Sequence, residues 1–144
     1  MPRFFTWAEA QAALPEIEKP VRRAVALKAT LQETQGEIES VNEKVRLAGG
    51  ALIDRGKLRE TVARRDAAMN ELRETLTALQ ERGCLVKDLD LGLLDFPTLL
   101  RGEEVYLGWA LGEASIGFWH GVSDGYRGRK PIDQDFLDNH RGES

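Results

Sequence analysis

The chain has 144 residues, of which 42% are hydrophobic and 31% charged, and its net charge is −4. That length fits one domain, or one small domain with an appendage, and that charge offers no general affinity for nucleic acid, which needs a basic face to release phosphate counterions. The one cysteine, Cys84, excludes an internal disulfide and any multi-thiolate metal centre.

A lone thiol suits a reducing compartment. No apolar run approaches the roughly 18 residues of a membrane span, and the opening "MPRFFTWAEA" has no apolar signal-peptide core. A soluble cytoplasmic protein with no membrane partner is the expectation. The first element begins at Thr6. With Glu9 three residues on, Thr6 has capping-box spacing, in which hydroxyl and carboxylate satisfy backbone N–H groups that a helix start leaves orphaned. Pro15 and Pro20 follow, and each lacks a ladder donor and restricts its predecessor. They predict a short helix ending near Leu14, either stopping there or continuing with a kink, and a fresh helix from Pro20.

From Val21 to Ala48 the apolar positions keep a heptad spacing. Ala24, Leu31, Ile38 and Val45 take one seam position, and Leu27, Thr34, Val41 and Ala48 the other. "AGGALIDRG" breaks the pattern, with Gly49, Gly50 and Gly56 as cap and turn residues. A second seam runs Leu58, Val62, Arg65, Met69, Leu72, Leu76, Leu79 and stops at Gly83. Two helices of matching length with a short connection predict a coiled-coil-like antiparallel hairpin. Such a pair cannot bury its seam all round, so a second hairpin or the β unit must cover the remaining face, and a homodimer through the hairpin is expected.

Beyond Gly83 the character changes. "CLVKDLDL", "EEVYLGWAL" and "IGFWHG" read as strands, the last two joined by "GEAS" at hairpin length. Nine of the 14 glycines fall between Gly83 and Gly128, which fits a compact β unit with tight turns. Asp133 to Ser144 reads as a polar tail anchored only by Phe136 and Leu137. The fold class is therefore α+β: a short helix and a long helical hairpin over residues 1–83, a small glycine-rich antiparallel β unit over 84–132 packed on the helices, and a tail over 133–144.

Three groups of residues in the β unit could carry chemistry. Asp88, Asp90 and Asp95, with Glu113 and His120, are oxygen donors plus one imidazole, a set that suits a hard or borderline divalent cation. Asp88 and Asp90 share a face if both lie on a strand. A wet strand face, with Asp95 starting a turn before Phe96-Pro97, accounts for the same acids. His120 has the pKa range of a general acid or base, although a histidine hydrogen-bonded at a sheet edge is the commoner case. Arg127 and Arg129, beside Tyr126 and downstream of Trp119, could clamp a small anionic ligand with forked donors. They could equally pair with neighbouring acids. Cys84, at the start of an apolar strand, reads as a packed small hydrophobe.

Taken together, "FTWAEAQAALP", the coiled middle and "VKDLDLGLLDFP … GEEVYLGWALGEASIGFWHGVSDGYRGRKPI" resemble a family of small bacterial proteins catalogued as a domain of unknown function, number twenty-two-oh-three. The closing motif carries the likeness through Asp90 to Gly92, Asp95 to Pro97, Val105 to Leu107, Gly112 with Glu113, Trp119 with His120, and Gly125 to Arg129. Tyr126 stands where the family motif has Phe. The resemblance implies one functional unit and no particular activity. The leading expectation is a non-catalytic binding protein, with the hairpin as assembly surface and the β unit as ligand site. The alternative is a metal-dependent, hydrolase-like enzyme using the Asp/Glu/His set. A nucleic-acid adaptor using Arg22, Arg23, Arg64 and Arg65 ranks last, because acids surround those arginines.

Overall fold

The computed structural model describes residues 3–49 and 53–143. Helix α1 (Trp7–Ala48) starts as its sequence predicts: the Thr6 hydroxyl accepts from the Glu9 amide, and the Glu9 carboxylate accepts from the Thr6 amide. Gly49 ends it in the left-handed conformation. Gly50, one of the expected turn residues, lies outside the described residues.

The break expected between Leu14 and Pro20 does not occur, because α1 runs unbroken through both prolines. Each proline in a helix interior costs about 3 kcal/mol. Here Pro15 is exposed and Pro20 half-buried, while Ala10, Leu14, Ile17, Val21 and Ala24 form one continuous buried stripe. Burying each larger apolar side chain contributes about 1.5–3 kcal/mol, so the stripe outweighs the two lost hydrogen bonds.

Helix α2 (Arg55–Glu81) begins at Asp54, whose carboxylate accepts from the Lys57 amide. Gly56 therefore lies in the first turn of α2 and not in the loop. α2 packs against α1, with Ala24, Leu27, Thr34 and Ile38 buried on one helix and Thr61, Ala68 and Leu79 on the other. The two helices do not match in length: α1 extends about 63 Å and α2 about 40 Å at 1.5 Å per residue. The excess of α1 is its N-terminal third, which covers the sheet.

Cys84 N–H donates to Leu79 O as the chain leaves α2. Five strands then run in spatial order β1 (Leu85–Asp88), β2 (Leu93–Leu100), β3 (Glu103–Ala110), β4 (Phe118–Gly121) and β5 (Lys130–Pro131), all antiparallel. After α3 (Gln134–Asn139), β6 (His140–Arg141) pairs with the end of β2. The expected polar tail thus adds an element to the sheet. Its Phe136 is fully buried, and His140 Nε2 accepts from Trp7 N–H at 2.8 Å, fixing the tail to the start of α1.

β2 also departs from expectation, since Asp95 before Phe96-Pro97 reads as the start of a turn. Pro97 survives in mid-strand because its nitrogen faces away from β3, in the gap between β1, which pairs up to Asp95, and β6, which starts at Leu99. Its carbonyl, on that same edge, accepts from Phe5 N–H at 2.7 Å. No ladder donor is lost there. Arg101 and Gly102, both at positive φ, close the tight hairpin from β2 to β3.

Alternation then sorts the sheet into two faces. Leu94 and Phe96 of β2, Val105, Leu107 and Trp109 of β3, and Trp119 of β4 face α1 and join Phe5, Leu14, Ile17, Leu79 and Phe136 in the core. Asp95, Tyr106, Gly108, Phe118 and His120 lie on the opposite, outer face.

Candidate functional site

On that outer face, Asp95 pairs with Gly108 in register, Gly108 with Phe118, and Tyr106 with His120. Asp95 and His120 are thus diagonal neighbours separated by a residue without a side chain. The Asp95 carboxylate reaches across Gly108 to His120 Nε2 at 2.8 Å. A Cβ on residue 108 would lie 3.3 Å from His120 Cδ2 and 3.6 Å from Asp95 Oδ1. Glycine in this strand interior leaves room for the pair.

Asp95 is 4% exposed and His120 7%. His120 Nδ1 lies 2.9 Å from Gly121 O, an acceptor only, so it carries a proton and donates it. One further proton is needed on the line between Nε2 and Asp95 Oδ1, whichever of the two holds it. Burial pushes the Asp95 carboxyl above its ordinary range, opposed by the hydrogen bond and charge of His120. The other carboxylate oxygen, Oδ2, is buried with no protein partner.

Both imidazole nitrogens are therefore engaged, and His120 has none free to take a proton from a substrate. This differs from the arrangement of a histidine base, in which one nitrogen meets the carboxylate and the other the reacting group. His120 instead orients and balances a buried carboxylate.

A cleft of about 320 Å³ opens over this pair, lined by Lys87, Leu93, Asp95, Tyr106, Gly108, His120, the loop Val122–Tyr126, and Arg129. The Arg129 guanidinium is sandwiched between the Phe118 and Tyr126 rings, at 4.2 and 4.7 Å. Its Nη2 donates to Glu113 at 2.7 Å, and its Nε–H is buried without a partner. Glu113 in turn accepts from Ala110 N–H at 2.6 Å. The Lys87 ammonium stands 4.9 Å from the Tyr106 ring.

The acids named from sequence do not meet at one point. Asp95 and His120 come together. Glu113 sits with Arg129, holding it in place. Asp88 ends β1, and its carboxylate accepts from the amides of Asp90 and Leu91, closing a turn. Asp90 lies past the strand and pairs with Lys28 of α1 at 3.0 Å, so the shared strand face expected of Asp88 and Asp90 does not form. Leu91, in the turn that follows, is 59% exposed. Among the described residues no three of His, Cys, Asp and Glu come close enough to hold a metal ion.

Of the candidate ligand-binding residues, Tyr126 and Arg129 line the cleft. Arg127 is exposed and outside it. Trp119, by alternation, lies on the helix-side face against Phe136. Gly108, Tyr106 and Lys87 also belong to the cleft and are not among the residues expected from the sequence. The available signal was the glycine inside "VYLGWAL", because a strand-interior glycine marks a close approach.

A family model described as an uncharacterised conserved protein, DUF2203, matches residues 3–132. The chain belongs to this family. The match spans every cleft residue of the DUF2203 chain from Lys87 to Arg129, and stops before α3 and β6. Comparison with curated proteins and with solved structures found no match.

Two other features bear on function. Cys84 is 1% exposed, and burial pushes its thiol up to about 11, the behaviour of a packed hydrophobe. No helix among the described residues is long and apolar enough to cross a membrane.

Proposed function

We propose that this DUF2203 protein is a non-catalytic binding module whose outer-face cleft takes a small organic ligand. The observation that carries this reading is the buried Asp95–His120 pair at the floor of the cleft, with one carboxylate oxygen left without a protein partner. Leaving a buried acceptor unpaired costs about 1–3 kcal/mol, and a site that retains such a cost is a place to look for a ligand. Aromatic walls with a few fixed polar groups are the usual make-up of small-molecule sites. The metal-dependent reading draws no support from the separate positions of Asp88, Asp90 and Glu113.

The hairpin supplies the second half of the proposal, a homodimer. Leu31, Met69, Leu72 and Leu76 line an open groove between the helices, continued by Val86 and Leu89 at the sheet edge. Its lining also carries both charge signs, Lys28 and Arg65 with Glu39 and Asp88, which suits a self-complementary two-fold contact.

Thermal-shift screening of a fragment library tests the cleft: hits should stabilise the wild type and fail on a folded Gly108→Val variant. Hits that stabilise both equally, or no hits, would defeat the reading. Light scattering on a sizing column should give the dimer mass at micromolar concentration, and Leu72→Glu should give the monomer.

A further inference from the structure

Of the charged groups that line the cleft, all but one are already engaged. The Asp95–His120 pair holds one proton at Nδ1 and another on the Oδ1–Nε2 line, so it is neutral as a unit. Arg129 donates to Glu113 at 2.7 Å and is stacked between two rings. Asp124 is tied into its own loop, where Oδ2 accepts from Gly121 N–H at 3.2 Å. It packs against the bare backbone of Gly121 and Gly128, where a Cβ would lie 2.8 and 2.9 Å from it. Lys87 is the exception. It lines the cleft from β1 and is exposed, with its ammonium 4.9 Å from the Tyr106 ring. Among the described residues that ammonium has neither a hydrogen-bond acceptor nor a carboxylate within ion-pair distance.

Apolar surface is also left bare beside it. Val122 and Tyr126, 51% and 49% exposed, line the same cleft. At about 320 Å³ the space lies at the small end of ligand cavities and has room for one ring or a short chain. Resting on the binding reading above, we infer that the ligand is a small organic acid with a single negative charge. Its carboxylate pairs with the Lys87 ammonium, and its apolar body lies against Tyr126 and Val122. The anion that the sequence places at Arg127 and Arg129 belongs at Lys87 instead, because Arg129 is committed to Glu113 and Arg127 lies outside the cleft. One ammonium matches one charge. A phosphate monoester would bring a second charge beside Asp124 with no further unengaged cation to meet it. An amidinium would set its charge against Lys87, and a neutral amide would gain nothing from it.

Benzoate, benzamide, benzamidine and phenyl phosphate share a ring and differ in the group it carries, which makes them suitable probes. Titrated into ¹⁵N-labelled wild-type protein, benzoate should bind with a Kd in the roughly millimolar range expected for so small a ligand and shift the amides of Lys87, Tyr106 and Tyr126. It should bind about fivefold more tightly than benzamide, the advantage of an exposed ion pair. Lys87→Met keeps the stem and removes the charge. It should abolish that advantage and leave benzamide binding unchanged, which also shows that the variant is folded. Equal binding of benzoate and benzamide to the wild type, or an advantage that persists in Lys87→Met, would overturn the organic acid. Tighter binding of benzamidine would overturn it in favour of a cation, and tighter binding of phenyl phosphate in favour of a phosphate ester. Each of these results would leave the cleft standing as a site. Absence of all four probes from the cleft, while other fragments still bind there, would also overturn the organic acid. If no fragment binds there, the underlying reading fails with it.

Discussion

Removing the His120 imidazole tests the buried pair most sharply. In His120→Ala, the Asp95 carboxylate, 4% exposed, loses its 2.8 Å hydrogen bond while its other oxygen already lacks a partner. Removing one member of a buried ionic pair typically costs about 3–5 kcal/mol, a large share of the roughly 5–15 kcal/mol that stabilises a domain. The sign with pH follows from Asp95. Its folded pKa is raised by burial, so its contribution favours folding below the unfolded value, near 3.8, and is lost as pH rises through the folded value. Without His120, which opposes that rise, the penalty at neutral pH grows. It disappears once the carboxyl is protonated, leaving about 1–2 kcal/mol for the lost packing and hydrogen bond at acid pH. Asp95→Asn, with no charge to bury and an amide able to donate to Nε2, should cost about 1 kcal/mol. Urea unfolding followed by fluorescence of Trp7, Trp109 and Trp119, at pH 7.5 and pH 4, gives these values. Equal losses for His120→Ala at the two pH values, or a loss for Asp95→Asn as large as for His120→Ala at pH 7.5, would refute the reasoning.

Three further predictions follow from other parts of the molecule. Gly108→Ala puts a methyl 3.3 Å from His120 Cδ2 and should destabilise by about 1–3 kcal/mol, measured by urea unfolding, with a change in the His120 ring signals. Cys84, with its thiol at about 11, should react with a disulfide reagent at pH 8 at least about 100-fold more slowly in the folded than in the unfolded protein, because the thiolate is the reactive form. Thr6→Ala removes half of the capping box and should cost about 1 kcal/mol, read from the urea midpoint.

The helical half of the molecule was largely legible because its signals are local. Thr6 and Glu9 lie one turn apart, and the seam from Ala24 to Ile38 repeats within a single element. The misreadings arise where a distant contact overrides a local preference. Pro15 and Pro20 argue for a break, but the stripe from Ala10 to Val21 is covered by a sheet more than 60 residues later in the chain. Pro97 argues for a turn, and only the gap between β1 and β6 lets it lie in a strand. Phe136 finds its partners only once the sheet that buries it is assembled. The site divides in the same way. Asp95, His120, Tyr126 and Arg129 are visible as chemistry-bearing residues, whereas the convergence of Asp95 with His120 depends on the registers Asp95–Gly108 and Tyr106–His120. Asp88 and Asp90 would share a face only if the strand continued past Asp88. It ends at Asp88.

We propose the cleft over Asp95 and His120 as the place where this protein binds a small molecule. Mapping a fragment library onto the assigned ¹H–¹⁵N spectrum tests it directly. Perturbations from several hits should converge on Gly108, His120, Tyr126 and Arg129. Hits confined to the hairpin groove around Met69 and Leu72, or scattered with no response at Gly108 and His120, would contradict it.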